Sequence, residues 1–319
     1  METPTGHAGY TTRRPTAGDA KAIHELVVAC DVAAIGRADN TLDDITDELV
    51  EPEFSMAEDG WLVHSGEQLV GWGWACRRGE SDNVDIDVYA APDATAARDW
   101  LWTAVVRRAV EIAGELGHPR ARVDIGIHRD DSAKAAAARE RGCEVATSFF
   151  RMRVDHPSPP PEPALPAGVA LVTAGDDEKL RRVAHAIRDA AFTEHFGFYS
   201  QPYDKWAAAI GAASSHDWSQ LRVATVDGTP AAMLLGNNQF VPDDQCGYVA
   251  IVATLPAYRG RGLAALLLRD RFAADARAGR AGTYLHVDAN NTTPALGLYE
   301  SVGMRTVIVV DIWRQTLPT

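Results

Sequence analysis

The sequence predicts an α/β protein of two domains in tandem, each a mixed, mostly antiparallel sheet flanked by helices. The chain has 319 residues, and domains of ~100–200 residues are usual. A run that holds six prolines interrupts it at residues 155–168. Strand and helix patterns follow one another in the same order on both sides of that run, as expected for one fold used twice.

The proline-rich run sets the predicted domain boundaries. Proline lacks a backbone N–H and favours extended conformations, so such a run continues neither a helix nor a central strand. We therefore predict a first domain over residues 1–154, a linker over residues 155–168 and a second domain over residues 169–319.

The second half carries the clearer pattern. Residues 247–253 are almost entirely apolar, which predicts a strand buried on both faces. Leu263, Leu266 and Leu267 then recur at helical spacing. The predicted elements are strands over residues 221–226, 231–235 and 247–253, a helix after residue 262, a strand over 283–288, a helix over 293–301 and a strand over 305–314.

The first half repeats this order at similar spacing. The glycines Gly66 and Gly142 lie about 75 positions apart, as do Gly228 and Gly303, which supports a duplication. The predicted elements are strands over residues 61–64, 69–75 and 84–89, a helix over 100–114, a strand over 122–128, a helix over 132–141 and a strand over 144–153.

The composition narrows the class of partner. Hydrophobic residues make up 46% of the chain and charged residues 24%, which are globular proportions. The net charge is −13, and without a basic stripe a nucleic-acid partner is not expected. An acidic surface attracts cationic ligands such as amines, and it equally keeps a protein in solution.

The cysteines and the N-terminus bear on the cellular compartment. Residues 1–12 lack the apolar core of a secretory signal. No uncharged apolar stretch reaches ~18 residues, so no membrane span is expected. These features predict a cytoplasmic protein. A monomer or a homodimer is expected, and the sequence does not distinguish the two. Neither a metal site nor a disulfide framework is expected from the four separated cysteines, Cys30, Cys76, Cys143 and Cys246.

The strongest functional signal is Arg259-Gly260-Arg261-Gly262-Leu263-Ala264, which joins the predicted buried strand to the helix. Glycine lets backbone N–H groups approach a ligand closely. A helix N-terminus adds unpaired N–H donors and about half a positive charge. Such a turn predicts a cradle for a diphosphate, with the two arginines adding charge at its rim.

A second motif follows about thirty residues later, at residues 285–304. Together the two motifs resemble those of the GNAT superfamily of N-acyltransferases, whose signature R/Q-x-x-G-x-G/A fits residues 259–264 and whose next helix carries Ala-x-x-Leu-Tyr-Glu-x-x-Gly-Phe. Two motifs in the right order are far more specific than either alone. The matching residues here are Ala295, Leu298, Tyr299, Glu300 and Gly303, with Met304 in place of the Phe.

The resemblance implies that acetyl-CoA is the cosubstrate and that no metal takes part. In the family, the glycine loop binds the pyrophosphate, the preceding strand offers backbone groups to the pantetheine arm, and an Asn ends the next strand. The implied cofactor-binding residues are Val252, Ala253, Thr254, Arg259, Gly260, Arg261, Gly262, Leu263, Ala264 and Asn291.

Acyl transfer to an amine needs a proton acceptor for the ammonium, donors for the oxyanion and a proton donor for the thiolate. By resemblance, Tyr299 is the predicted general acid. Several relatives place a Glu base where this chain has Tyr248, and a tyrosine is a poor base at neutral pH unless its pKa is lowered. His286 and Asp288, at i and i+2 of one strand, are candidate catalytic residues or an ordinary surface pair.

An aromatic stretch at residues 191–203 lies where the family forms the wall of the acceptor site. We predict that Glu194 pairs with the charge of an amine, and Glu194 and His195 are the other candidates for the base. Packing of these aromatic residues onto the other domain is the alternative. The predicted acceptor-binding residues are Glu194, His195, Phe196, Tyr199 and Tyr248.

The first half lacks the features of a phosphate loop. After Pro92 it begins with Asp93 and has no glycine up to Arg98, and Ala138 stands at the position that matches Tyr299. Added Cβ atoms crowd a phosphate, and a carboxylate repels one. We predict that this half has lost transfer activity.

The predicted function is N-acetyl transfer from acetyl-CoA to the primary amine of a small molecule, by direct attack through a tetrahedral intermediate. The alternatives are a protein or peptide N-acetyltransferase, and an acetyl-CoA sensor without turnover. Retention of Tyr299 beside an intact glycine loop favours turnover over sensing.

Overall fold

The structure is a computed structural model that describes residues 9–158, 160–193, 198, 200–289 and 295–319. The helices and strands of the first half confirm every element predicted there and add one strand and two helices before them. In order they are β1 (Tyr10–Arg13), α1 (Ala20–Ile35), α2 (Leu42–Leu49), β2 (Gly60–Ser65), β3 (Gln68–Arg77), β4 (Asn83–Ala90), α3 (Thr95–Glu115), β5 (Arg120–His128), α4 (Ser132–Glu140) and β6 (Glu144–Asp155).

The second half also contains the predicted elements, with one further strand and two further helices before them and one short helix, Val241–Asp244, among them. They are β7 (Val169–Thr173), α5 (Glu178–Phe192), α6 (Tyr203–Ala212), β8 (Leu221–Val226), β9 (Thr229–Asn237), α7 (Val241–Asp244), β10 (Cys246–Thr254), α8 (Leu263–Arg277), β11 (Gly282–Asp288), α9 (Ala295–Ser301) and β12 (Arg305–Pro318). Among the described residues, no helix is both long and apolar enough to cross a bilayer.

The chain forms two compact units whose limits differ from the predicted boundaries. One unit combines the chain up to Thr147 with Val310–Thr319, and the other is Ser148–Val309. Hydrogen bonding explains the difference, because Val310–Pro318 pairs with β5 of the N-terminal unit, and Phe149–Asp155 pairs with β11 of the C-terminal unit. Each half therefore supplies the last strand of the other unit. The described part of residues 156–168 holds no helix or strand.

Each unit holds a mixed sheet that is mostly antiparallel, as predicted. The strand order is β1-β2-β3-β4-β5-β12 in the N-terminal unit and β6-β11-β10-β9-β8-β7 in the C-terminal unit. The parallel pairs are β4 with β5 and β10 with β11, and the other pairs described are antiparallel.

The sheet of the C-terminal unit is covered on both faces because its strands alternate. Ala232 and Leu234 of β9 pack into a core with α8 and α9. Met233 and Leu235, between and after them, pack into a second core with α5 and α6. Side chains one residue apart on a strand point to opposite faces, so one strand serves both cores.

Candidate active site

The two parallel strands of the C-terminal unit separate halfway along their length. The ladder between β10 and β11 joins Cys246–Val249 to Gly282–Leu285 and stops there, although both strands continue. An extra residue, Ala250, also breaks the register of β10 against β9. Beyond Val249, alternate backbone N–H and C=O groups of β10 therefore face an opening instead of a neighbouring strand.

This opening corrects one prediction about β10. The apolar run was expected to be buried on both faces, but Ala250 is exposed and Ile251 and Val252 are only half-buried. All three line a cavity. An apolar cavity wall and a strand buried on both faces use the same residue types. The sequence of β10 alone therefore does not distinguish between them.

The glycine-rich turn follows β10 and leads into α8. Gly260 and Gly262 both have φ of +75°, a conformation that residues with a Cβ adopt at a cost. Gly262 is the N-terminal cap of α8 and has no side chain to bond the first turn. The N–H groups of Leu263, Ala264 and Ala265 thus have no partner within the helix, and all three residues line the cavity.

A cavity of about 660 Å³ connects this turn with the opening between the strands. Its walls come from β10, β11, the glycine-rich turn and the starts of α8 and α9. The predicted site residues among those that line it are Tyr248, Val252, Ala253, Thr254, Arg259, Gly260, Gly262, Leu263, Ala264, His286, Asp288 and Tyr299.

Tyr299 of α9 reaches the cavity from within the core. Its side chain is 8% exposed and packs in the cluster formed by α8, α9 and the sheet. Burial raises the pKa of Tyr299 to about 12, since a phenolate is disfavoured in apolar surroundings. The hydroxyl therefore keeps its proton at neutral pH, as a proton donor must.

A chain of three polar side chains links β10, β11 and β6 near the point where β10 and β11 separate. The Tyr248 Oη lies 2.8 Å from His286 Nδ1, and Arg151 Nε donates to His286 Nε2 at 2.9 Å. Arg151 lies opposite His286 in the register of β6 and β11. The ring planes of Tyr248 and His286 are nearly perpendicular, at 71°. The cation of Arg151 also lies over the ring of Phe240, 4.8 Å from its centroid.

The remaining predicted residues are placed as follows. Arg261 is not among the residues that line the cavity, and its guanidinium instead lies 5.2 Å from the ring centroid of Tyr258. Arg259 lines the cavity and donates to the Ala191 carbonyl at 3.3 Å. The predictions for Glu194, His195, Phe196, Tyr199 and Asn291 fall outside the described residues.

Phe192 and Phe198, which belong to the aromatic stretch predicted at residues 191–203, line the cavity, and their ring centroids lie 6.3 Å apart. Sequence reasoning missed two other residues of this site. Phe149 lines the cavity, and Arg151 contacts His286. Phe149 and Arg151 were assigned to the other domain, and alternation along β6 was the available signal that they share a face.

The equivalent place in the N-terminal unit is built differently. The ladder of β4 and β5 also stops early, after Ile86 and Ile125. There Lys134 of α4 bonds Asp87 at 2.5 Å and lies 4.6 Å from the ring centroid of Tyr89. An ion pair thus occupies the strand segment that matches the cavity wall of the C-terminal unit.

Comparison with known proteins points to one family. Residues 182–304 match the family model described as Acetyltransferase (GNAT) family. A mycothiol acetyltransferase from Nocardia farcinica is 32% identical over 219 residues, covering 64% of this chain and 65% of that protein. One from Frankia alni is 37% identical over 92 residues, covering 27% and 26%. The alignments thus span less than two thirds of either relative.

Solved structures share the whole architecture. A GCN5-related N-acetyltransferase from Sphaerobacter thermophilus has a TM-score of 0.83 at 20% identity, covering 99% of this chain and 98% of that one. A tandem GNAT protein from the clavulanic acid biosynthesis pathway has a TM-score of 0.73 at 17% identity, covering 96% and 98%. At these identities the likeness concerns the fold.

Proposed function

We propose, from the premise that this chain is a tandem protein of the GNAT family, that it transfers an acetyl group from acetyl-CoA to the primary amine of a small molecule. The observation that carries the proposal is that the glycine-rich start of α8 and the Tyr299 side chain line one cavity. A ligand that fills this cavity would contact both the turn, which suits an anion, and Tyr299.

The residues present fit a CoA thioester. The first-turn N–H groups of α8 and the turn at Gly260 and Gly262 suit a diphosphate, because such N–H groups and the helix dipole favour anions. The exposed edge of β10 beyond Val249 offers backbone groups to the amides of a pantetheine arm. Thr254 Oγ1, which has no hydrogen-bond partner among the described residues, would gain one there.

The acceptor side of the cavity suits an amine carried on a partly apolar molecule. Phe149, Phe192 and Phe198 supply apolar and aromatic walls, and aromatic faces attract cations. Asp288 lines the same cavity and would attract an ammonium. Relatives named as mycothiol acetyltransferases support a small-molecule acceptor over a protein.

The chemistry follows from these positions. The amine nitrogen attacks the thioester carbonyl, backbone N–H groups of β10 stabilise the tetrahedral oxyanion, and the Tyr299 hydroxyl protonates the departing thiolate. We expect the N-terminal unit to contribute no transfer of its own.

The direct test is release of the CoA thiol across a panel of small-molecule amines and peptides, together with calorimetric binding of acetyl-CoA. We expect binding and amine-dependent release. Binding without release from any amine would favour a sensor, release with peptides alone would favour a peptide acetyltransferase, and absence of binding would refute the proposal.

A glycine substitution tests the phosphate cradle. In Gly262→Ala we expect acetyl-CoA to bind about tenfold more weakly or worse, because the new Cβ disfavours the φ of +75° that aims the first turn of α8. Gly279→Ala is the matched control, since Gly279 has φ of +76° at the other end of α8. Both should lose similar stability. Equal binding by the two variants would contradict the cradle.

The pH dependence of kcat tests the state of Tyr299. Because its pKa is about 12, the acid form persists well above pH 7. We expect no loss of kcat between about pH 8 and 10, where an ordinary tyrosine begins to ionise. The measurement is kcat at saturating acetyl-CoA and amine. A fall centred near pH 10 that disappears in Tyr299→Phe would contradict this state.

A further inference from the structure

The chain Arg151–His286–Tyr248 fixes where the imidazole proton lies. A guanidinium can only donate hydrogen bonds, so His286 Nε2, which receives Arg151 Nε at 2.9 Å, must be the unprotonated nitrogen. The neutral ring then carries its proton on Nδ1. That proton is donated to the Tyr248 Oη, 2.8 Å away.

This arrangement has two chemical consequences. His286 cannot accept a further proton at Nε2 without losing the bond from Arg151, which disqualifies it as the base. Tyr248 Oη instead receives a hydrogen bond from the imidazole of His286. That imidazole itself accepts a hydrogen bond from the Arg151 cation. Donation to an oxygen stabilises its ionised form, so the chain favours a phenolate at Tyr248, which lines the cavity.

We propose that Tyr248 is the proton acceptor for the ammonium of the substrate, and that Arg151 and His286 are positioning residues that stabilise its phenolate. This rests on the acetyl transfer proposed above. Several relatives have a Glu base at the position of Tyr248. Here Tyr248 would accept the proton instead, with Arg151 and His286 stabilising its phenolate.

The step balances as follows. Tyr248 first loses its hydroxyl proton to solvent. The phenolate oxygen takes one proton from the ammonium, and the freed amine forms a C–N bond at the thioester carbonyl. One of the two protons left on that nitrogen passes to solvent as the intermediate collapses, and the other stays on the amide. The C–S bond breaks, and the thiolate takes the proton of Tyr299. Tyr248 and Tyr299 then return to their starting states by exchange with solvent.

The same strands contain an internal comparison. Two residues along β6, Arg153 Nη1 donates directly to Tyr284 Oη at 2.8 Å. Tyr284 is not among the residues that line the cavity, and no histidine intervenes in that contact. The other titratable or charged groups that line the cavity among the described residues are Asp288 of β11, Tyr299 of α9, and Tyr258 and Arg259 of the glycine-rich turn.

Spectroscopy tests the arrangement without turnover. ¹⁵N NMR of the whole protein should show His286 neutral, with Nδ1 protonated and Nε2 bare. Ring-labelled tyrosine NMR, assigned with Tyr248→Phe, should show the phenolate forming about one pH unit higher in Arg151→Met than in the wild type or in Arg153→Met. An Nε2–H tautomer, or an equal titration in all three proteins, would overturn the proposal.

Kinetics test the role in transfer. We expect Arg151→Met to lower kcat/KM about tenfold at neutral pH and to move its acid limb upward by about one pH unit. Arg153→Met should leave both unchanged, and Arg151→Lys should restore part of the rate. In a Tyr248→Phe background, Arg151→Met should have no further effect.

The outcomes separate the two proposals. Normal kcat/KM and pH profile in Arg151→Met, with an active wild type, would overturn the role of Tyr248 and leave acetyl transfer standing. No thiol release by the wild type with any amine would overturn acetyl transfer and, with it, the proton-acceptor role of Tyr248. Circular dichroism of each variant establishes that it is folded.

Discussion

Replacing Tyr299 with Phe is expected to lower kcat by ~10²–10⁴ and to leave acetyl-CoA affinity nearly unchanged. Only the hydroxyl is removed, so the ring keeps its place in the core between α8, α9 and the sheet. The thiolate then departs without a proton, which slows collapse of the intermediate but not binding. Stopped-flow kinetics with a thiol reagent and calorimetry measure the two quantities.

The control for this substitution is Tyr284→Phe. Tyr284 is also buried, at 3% exposure, but lies outside the residues that line the cavity. It should keep kcat within about twofold. A Tyr299→Phe enzyme of full activity would remove the acid role, and a loss of acetyl-CoA binding comparable to the loss of kcat would assign Tyr299 to binding instead.

The glycine loop was predictable from sequence because its chemistry is local. Positive φ at Gly260 and Gly262 depends on the residues themselves and on the helix that follows. The same holds for the shared face of His286 and Asp288, which follows from the period of a strand. Both features need no knowledge of which strands pair.

The exchange of the last strands between the two units was not predictable, because it depends on pairing between residues far apart in the sequence. The sequences of β6 and β12 predict that each is a strand, but they do not indicate which sheet each strand joins. Their partners are set by pairing with β11 and β5, which is a long-range choice. The consequence for function is direct, because Arg151 on β6 reaches His286 and so belongs to a site that the predicted domain boundary had excluded.

Asp275 of α8 accepts hydrogen bonds at the centre of a buried polar network, close to the start of β11. It is 0% exposed and receives hydrogen bonds from Arg271, from Arg280 at 2.7 Å and from Thr283 at 2.6 Å. The network holds α8 to the first residues of β11, where that strand pairs with β10. A Cβ on Gly247 of β10 would lie 2.1 Å from its carboxylate, so this glycine lets β10 pass directly over the network.

We expect Asp275→Asn to destabilise the C-terminal unit by ~3–5 kcal/mol, because it leaves two guanidinium groups without their shared carboxylate. Chemical denaturation measures the loss, and amide hydrogen exchange in α8, β10 and β11 locates it. Glu162→Ala, which breaks an exposed pair with Arg277 of the same helix, should cost below about 1 kcal/mol. Since β10 and β11 separate just beyond this anchor, acetyl-CoA binding should weaken in Asp275→Asn even where the protein remains folded. Equal stability of the two variants would show that the network does not hold α8 to β11.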